Sequence, residues 1–287
     1  MQTPAVTPFF HEQSSTWTYV VQDPATAHAV IIDPCLDFDA AAARTSTDSA
    51  DAVFDFVTGQ GLQVDWILET HAHADHLSAG AHLRQRLGAP VCIGSGITAV
   101  QQAFRAVYNL GEDFPVDGSQ FERTLPAGSE LSCGSLAVEV IPVPGHTSDS
   151  VAYHIGDAVF VGDSLFMPDG GTARCDFPGG DAGVLYDSIQ RLYQLPDPTR
   201  VFVCHDYGPG GREVRCETTI GEQRRSNIHV RERTPREEFV ARRTERDATL
   251  SMPKLILPAI QVNIRAGELP PPEPNGISYL RIPLNRF

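Results

Sequence analysis

The segment Thr70-His71-Ala72-His73-Ala74-Asp75-His76 puts three of the chain's ten histidines and one aspartate within six positions. Imidazole nitrogens and carboxylate oxygens are the ligands that hold zinc or iron. Further residues of the same kind close apolar runs elsewhere. His146 follows Val138 to Val143 in Pro144-Gly145-His146-Thr147, Asp163 follows Val159 to Val161 in Gly162-Asp163-Ser164, and His205-Asp206-Tyr207 follows Val201 to Cys204. One such histidine would mean little, and a solvated polar loop is the plain alternative for the first cluster. Four strand ends that each deliver a potential ligand to one rim instead describe a metal site.

Stepping outward, Val64-Asp65-Trp66-Ile67-Leu68 is a strand that delivers the cluster, and Leu77 to Leu87 has helical spacing up to Gly88-Ala89-Pro90, before the short strand Val91-Cys92-Ile93. Strand, cluster, helix and strand make a βαβ unit with parallel pairing. Upstream, Thr16 to Val21 and His28 to Ile32 flank Gln22-Asp23-Pro24 as a hairpin, and Ala50 to Gly59 has helical spacing. From Ser119 the pattern is mostly strand, then a helix over Tyr186 to Leu195 and a strand over Arg200 to Cys204. Glu217 to Arg246 reads as charged helix broken at Pro235. Leu255 to Ile260 and the proline-rich stretch beyond read as extended chain laid over a surface, so the expected division is a catalytic domain over 1–250 and a C-terminal wrap over 251–287 on the same domain.

Composition narrows the chemistry. The formal charge of -14 over 287 residues, without clustered cations, argues against a nucleic-acid partner. Lys254 is the only lysine, which disfavours Schiff-base chemistry and leaves anionic substrate groups to arginine, backbone N–H or metal. No window approaches the roughly 18 apolar residues of a membrane span, and no leader pattern opens the chain, so a cytoplasmic protein is expected. The six cysteines form no C-x-x-C pair and read as free, mostly buried thiols.

H-x-H-x-D-H, G-H-T, G-D and a late histidine together resemble the metallo-β-lactamase superfamily over roughly residues 10 to 215. The resemblance implies an α/β protein, an αβ/βα four-layer sandwich with the metal at one edge, here carrying a C-terminal extension. Within that superfamily, Thr172-Ala173-Arg174-Cys175-Asp176-Phe177, the H-D-Y of His205 to Tyr207, and the tail from Leu257 to Gly267 with Tyr279 to Asn285 look like the persulfide dioxygenases related to the mitochondrial ethylmalonic-encephalopathy protein, in their longer bacterial branch. That likeness implies one Fe(II) per chain on His71, His146 and Asp163, glutathione persulfide and O2 as substrates, and a homodimer.

Under the same resemblance His73, Asp75, His76, His205 and Asp206 are either hydrogen-bond partners of the ligands or holders of a second metal. The second possibility belongs to a glyoxalase II-like thioesterase with two zinc or iron ions, and every ligand it needs is present. A non-catalytic binding protein is disfavoured by the intact ligand set. Arg174 and Tyr207 are the candidates for holding glutathione, since a guanidinium grips a carboxylate bidentately. The competing roles are an ion pair with Asp176 for Arg174 and packing beneath the rim for Tyr207. Cys175 has no evident base and is a poor nucleophile candidate.

Overall fold

A computed structural model describes residues 3–286. Met1, Gln2 and Phe287, the outermost positions of the two expected spans, lie outside the described residues. The first sheet holds β1 (Ala5–His11), β2 (Thr16–Gln22), β3 (His28–Ile32), β6 (Gln63–Glu69), β8 (Val91–Gly94) and β9 (Arg123–Leu125) in that order. A small sheet of β5 (Arg44–Ser46), β4 (Cys35–Asp39) and β7 (Leu77–Ser78) lies beside the metal-type loop. The second six-stranded sheet runs β10 (Glu130–Cys133), β11 (Leu136–Pro142), β12 (Val151–Ile155), β13 (Ala158–Phe160), β14 (Arg200–Phe202) and β15 (Glu217–Thr219). The helices are α1 (Asp48–Gly59), α2 (Gly80–Leu87), α3 (Ile97–Val107), α4 (Ala182–Leu192), α5 (Ile220–Ser226), α6 (Arg236–Asp247) and α7 (Ile256–Asn263).

Alternation along the strands builds the layers. Val21, Val30, Ile32 and Leu68 face Val138, Val140, Tyr153 and Phe160 across the gap between the large sheets, while Val20, Ile31 and Ile67 point the other way, to α1, α2, α3 and α7. On the second sheet Val159, Val161, Val201 and Val203 turn outward onto Leu185 and Ile189 of α4 and Phe239 of α6. Each such side chain contributes roughly 1.5–3 kcal/mol by leaving water. The result is helix, sheet, sheet, helix, and the strands β3, β6, β8 and β9 pair in parallel as the βαβ reading requires.

The hairpin of β2 and β3 and the helix α1 follow the sequence pattern closely. Four places differ. Leu77 and Ser78 are strand, because they pair with Leu36 and Cys35, and α2 starts only at Gly80. The helix α3 was not foreseen, although Ile97, Val100 and Phe104 supply its buried face. The charged stretch from Glu217 is a short strand followed by two helices, with Pro235 preceding α6. Leu255 to Ile260 is not extended: Ile256–Asn263 is helical, burying Ile256, Ala259, Ile260 and Val262 against the first sheet's outer layer. Its proline at 258 sits in the first turn, where the missing N–H is no loss. All six cysteines are free and only Cys216 is partly exposed.

Candidate metal centre

The loop from Thr70 to His76 is held from three sides. Asp33, at the end of β3, accepts from Thr70 N at 2.7 Å and from Thr70 Oγ1 at 2.9 Å. Asp149 accepts from Ala72 N at 2.8 Å. From α7, the Asn263 amide donates to the carbonyls of His73 and His76, both at 2.8 Å, and its oxygen accepts from Ser78 N at 2.8 Å. A short stretch rich in histidine would otherwise have no regular partners for these backbone groups.

These contacts also set the imidazole tautomers. Thr70 Oγ1 gives its proton to Asp33, so it accepts from His71 Nδ1 at 3.0 Å and leaves the His71 Nε2 lone pair free. His146 Nδ1 lies 2.7 Å from the Arg174 carbonyl, which can only accept, so its Nε2 is likewise free. His205 Nδ1 faces the Ser15 carbonyl at 3.3 Å and Thr16 Oγ1 at 3.2 Å. Thr16 Oγ1 also approaches His76 Nδ1 at 3.4 Å, so one fully buried hydroxyl backs two rings.

Asp163 sits on a single turn after β13, and Gly162 before it has φ +52; a Cβ there would lie 2.7 Å from Thr70 Oγ1. That glycine lets the aspartate loop touch the histidine loop. Asp163 Oδ2 is 3.5 Å from His146 Nε2 and 4.0 Å from His71 Nε2, and its Oδ1 is 3.2 Å from His205 Nε2. Ligand atoms of His71, His146 and Asp163 all lie within 4.8 Å of one another, and so do those of His73, Asp75, His76 and His205. The His73 ring lies 4.0 Å from that of His71, with Nε2 3.1 Å from Asp33 Oδ1, and both His73 nitrogens are buried without a hydrogen-bond partner.

The donor set fits a metal ion on its own chemistry. His71 Nε2, His76 Nε2, His205 Nε2, Asp75 Oδ2 and Asp163 Oδ1 are buried without a hydrogen-bond partner. Such atoms are rare and cost about 1–3 kcal/mol each, so several in one small volume call for a shared cation. Burial holds His71 and His73 well below the ordinary imidazole range, which keeps them in the neutral, ligating form. Burial raises the Asp163 carboxyl, with His205 and His146 offsetting this only in part.

Around this centre lies a cavity of about 670 Å³. His146, Asp163 and Asp75 line its floor, with Phe166 and Phe177 as walls and Arg174 and Tyr207 also on its surface. Tyr207 is not packed beneath the rim: it is 61% exposed, its ring stacked beside His205 at 5.9 Å between centroids. Arg174 pairs with Asp176 through Nε and Nη2, both at 2.6 Å, and gives Nη1 to the Ser251 carbonyl at 2.6 Å. Asp206 joins neither ligand group; it is buried and accepts from Arg212 and from Arg215 N at 2.6 Å, which fixes the loop after His205. Cys175 is buried and its thiol is pushed up by that burial, so it stays protonated.

Sequence reasoning missed Thr16, Asp33, Asp149 and Asn263. Asp33 carried a usable signal, because it ends the apolar strand Ala29 to Ile32 just as Asp163 ends its own.

His229 lines the same cavity and accepts from Thr172 N through Nδ1 at 3.0 Å. Burial, helped by the positive charges of Arg243, Arg246 and Arg242, lowers it to about 4. A histidine depressed in the fold stabilises it above the ordinary value of 6.5, and that contribution is lost as pH falls towards 4. His229→Gln is therefore expected to flatten acid destabilisation between those values, by no more than about 2 kcal/mol; denaturant midpoints at pH 7 and pH 4.5 check this, and an unchanged difference would discount the histidine.

The metallo-beta-lactamase superfamily model matches residues 12–205. The chain belongs to that superfamily. Among curated relatives it is 52% identical to the beta-lactamase hydrolase-like protein of Agrobacterium fabrum (strain C58 / ATCC 33970), covering 98% of this chain and 65% of that one. The chain thus spans just under two thirds of that relative's length. It is 30% identical to the mitochondrial persulfide dioxygenase ETHE1 of Bos taurus, over 92% of this chain and 89% of the relative. The crystal structure of ETHE1 from Myxococcus xanthus superposes with a TM-score of 0.73 at 34% identity, covering 92% of this chain and 100% of that one. Among the described residues no helix is long and apolar enough to cross a membrane.

Proposed function

We propose that this chain is an iron-dependent persulfide dioxygenase. The observation that carries this reading is that ligand atoms of His71, His146 and Asp163 make a group of their own, while His73 groups with Asp75, His76 and His205. Two imidazoles and one carboxylate with open positions are the ligand set of non-haem Fe(II) oxygenases. The likeness to two proteins named as ETHE1 supports the same choice.

His71, His146 and Asp163 would hold one iron, which would supply the chemistry that brings a sulfur and O2 together. Glutathione persulfide, O2 and water are converted to glutathione and sulfite. The S–S bond breaks, the terminal sulfur gains two oxygens from O2 and one from water, four electrons pass to O2, and the thiol sulfur leaves protonated. The chain's own contribution is positional. Thr70 and the Arg174 carbonyl keep Nε2 of His71 and His146 unprotonated, and Phe166 and Phe177 place apolar surface beside His146 and Asp163.

A glyoxalase II-like thioesterase is the second reading. It is favoured by the completeness of the group His73, Asp75, His76 and His205, and by Asp163 lying beside both groups. Anaerobic purification followed by iron and zinc determination and O2 uptake with glutathione persulfide separates the two. About one iron per chain with uptake supports the dioxygenase; two metals per chain without uptake overturns it.

A further inference from the structure

The outer part of the cavity is cationic in a chain whose net charge is -14. Four basic side chains line it: Arg174, Arg243, Arg246 and Lys254. Two of them are already committed. Arg174 spends its donors on Asp176 and the Ser251 carbonyl, and the buried Arg243 pairs with Asp247 and gives Nη1 to the Thr172 carbonyl. Among the described residues no ion pair engages Arg246 or Lys254, and both are exposed. Among the described residues Lys254, the only lysine of the sequence, thus stands without an ion pair on the wall of the cavity that His146 and Asp163 also line.

His229 lines the same wall, and burial first, with Arg243, Arg246 and Arg242 beside it, keeps this histidine neutral, so the ring adds no charge of its own there. Phe177, Leu250 and Leu255 add apolar surface to the same cavity. Its lining therefore combines ligand atoms, apolar surface and two uncommitted positive charges. An elongated thiol with its sulfur at one end and a carboxylate at the other carries a partner for each of the three.

We propose that Arg246 and Lys254 form a carboxylate subsite that binds the anionic end of the thiol substrate while its sulfur lies towards His146 and Asp163. Arg174, by contrast, is a strut that holds the segment around Ser251. The choice of glutathione persulfide rests on the function proposed above, but the subsite itself does not, since any carboxylate-bearing thiol of similar length fits it. Local positive charge in an acidic protein also raises the encounter rate of anionic substrates at this cavity, an effect that salt screens.

The test compares the metal-loaded wild type with Lys254→Gln, Arg246→Gln, the double variant and Lys254→Arg. Kinetics use glutathione persulfide and the persulfide of glutathione diethyl ester, which lacks the carboxylates. Each lost cation is expected to raise KM for the tripeptide about fivefold to tenfold, with a smaller change in kcat, and to leave KM for the ester form unmoved. Lys254→Arg is expected to keep KM near the wild-type value. A double variant whose KM for the tripeptide is unchanged, or whose KM rises equally for the ester, overturns the subsite. Calorimetric titration with glutathione and with its diethyl ester reads the same subsite without turnover. If the wild type takes up no O2 yet binds glutathione in a manner that the double variant loses, the functional reading falls and the subsite stands; if wild type and double variant bind glutathione and its ester alike, the subsite falls.

Discussion

His146→Ala is expected to leave the purified chain without bound metal and to lower O2 uptake by three orders of magnitude or more, while His76→Ala keeps about one iron per chain and most of the uptake. The asymmetry follows from the two groups. His146 belongs with His71 and Asp163, and its Nδ1 is fixed by the Arg174 carbonyl so that Nε2 faces Asp163. Removing it takes one of the three ligands from that group, and His205, whose Nε2 is 3.2 Å from Asp163 Oδ1, belongs to the other group. His76 belongs with His73, Asp75 and His205, and its loss leaves the first group complete. Elemental analysis of anaerobically purified variants, with O2 uptake in parallel, gives the answer. Loss of half the metal and all the uptake in His76→Ala would point to a two-metal centre.

Asn263→Leu is expected to lower stability by about 3 kcal/mol and metal affinity by about tenfold to a hundredfold. The side chain is 4% exposed and makes three hydrogen bonds, two given to the carbonyls of His73 and His76 and one accepted from Ser78 N. Leucine has similar volume, so packing survives while two acceptors and one donor lose their partner in a place that water does not reach. In a chain of this size the loss corresponds to a fall in Tm of about 5 °C. Thermal melts of the metal-free and metal-loaded forms separate the two effects. A lowered Tm with unchanged metal affinity would mean that the amide supports only the fold and not the ligand loop.

How much of this was legible beforehand depended on periodicity. The strand from Val64 to Leu68, the hairpin from Thr16 to Ile32 and the strand-end ligands were visible because period-2 apolar runs end sharply at polar, chemically distinctive residues. The helix α7 was misread because Leu255-Ile256-Leu257-Pro258-Ala259-Ile260 is apolar nearly all round, and a short uniformly apolar run does not distinguish strand from helix. Its proline strengthened the wrong choice. Asn263 and Thr16 were invisible for another reason. Their roles exist only through contacts 190 and 189 residues away, and a lone asparagine or threonine carries no local signature of such a contact. Arg174 was seen as a substrate contact because its type suits a carboxylate, yet its nearest carboxylate is two residues on in its own chain. Lys254 stands out in the sequence only as its one lysine, and its place on the cavity wall comes from the turn just before α7.

The bonds from Asn263 back to His73 and His76 make the ligand loop depend on a segment that is synthesised 190 residues after His73. A chain cut before α7 carries every ligand residue and lacks the amide that clasps their loop.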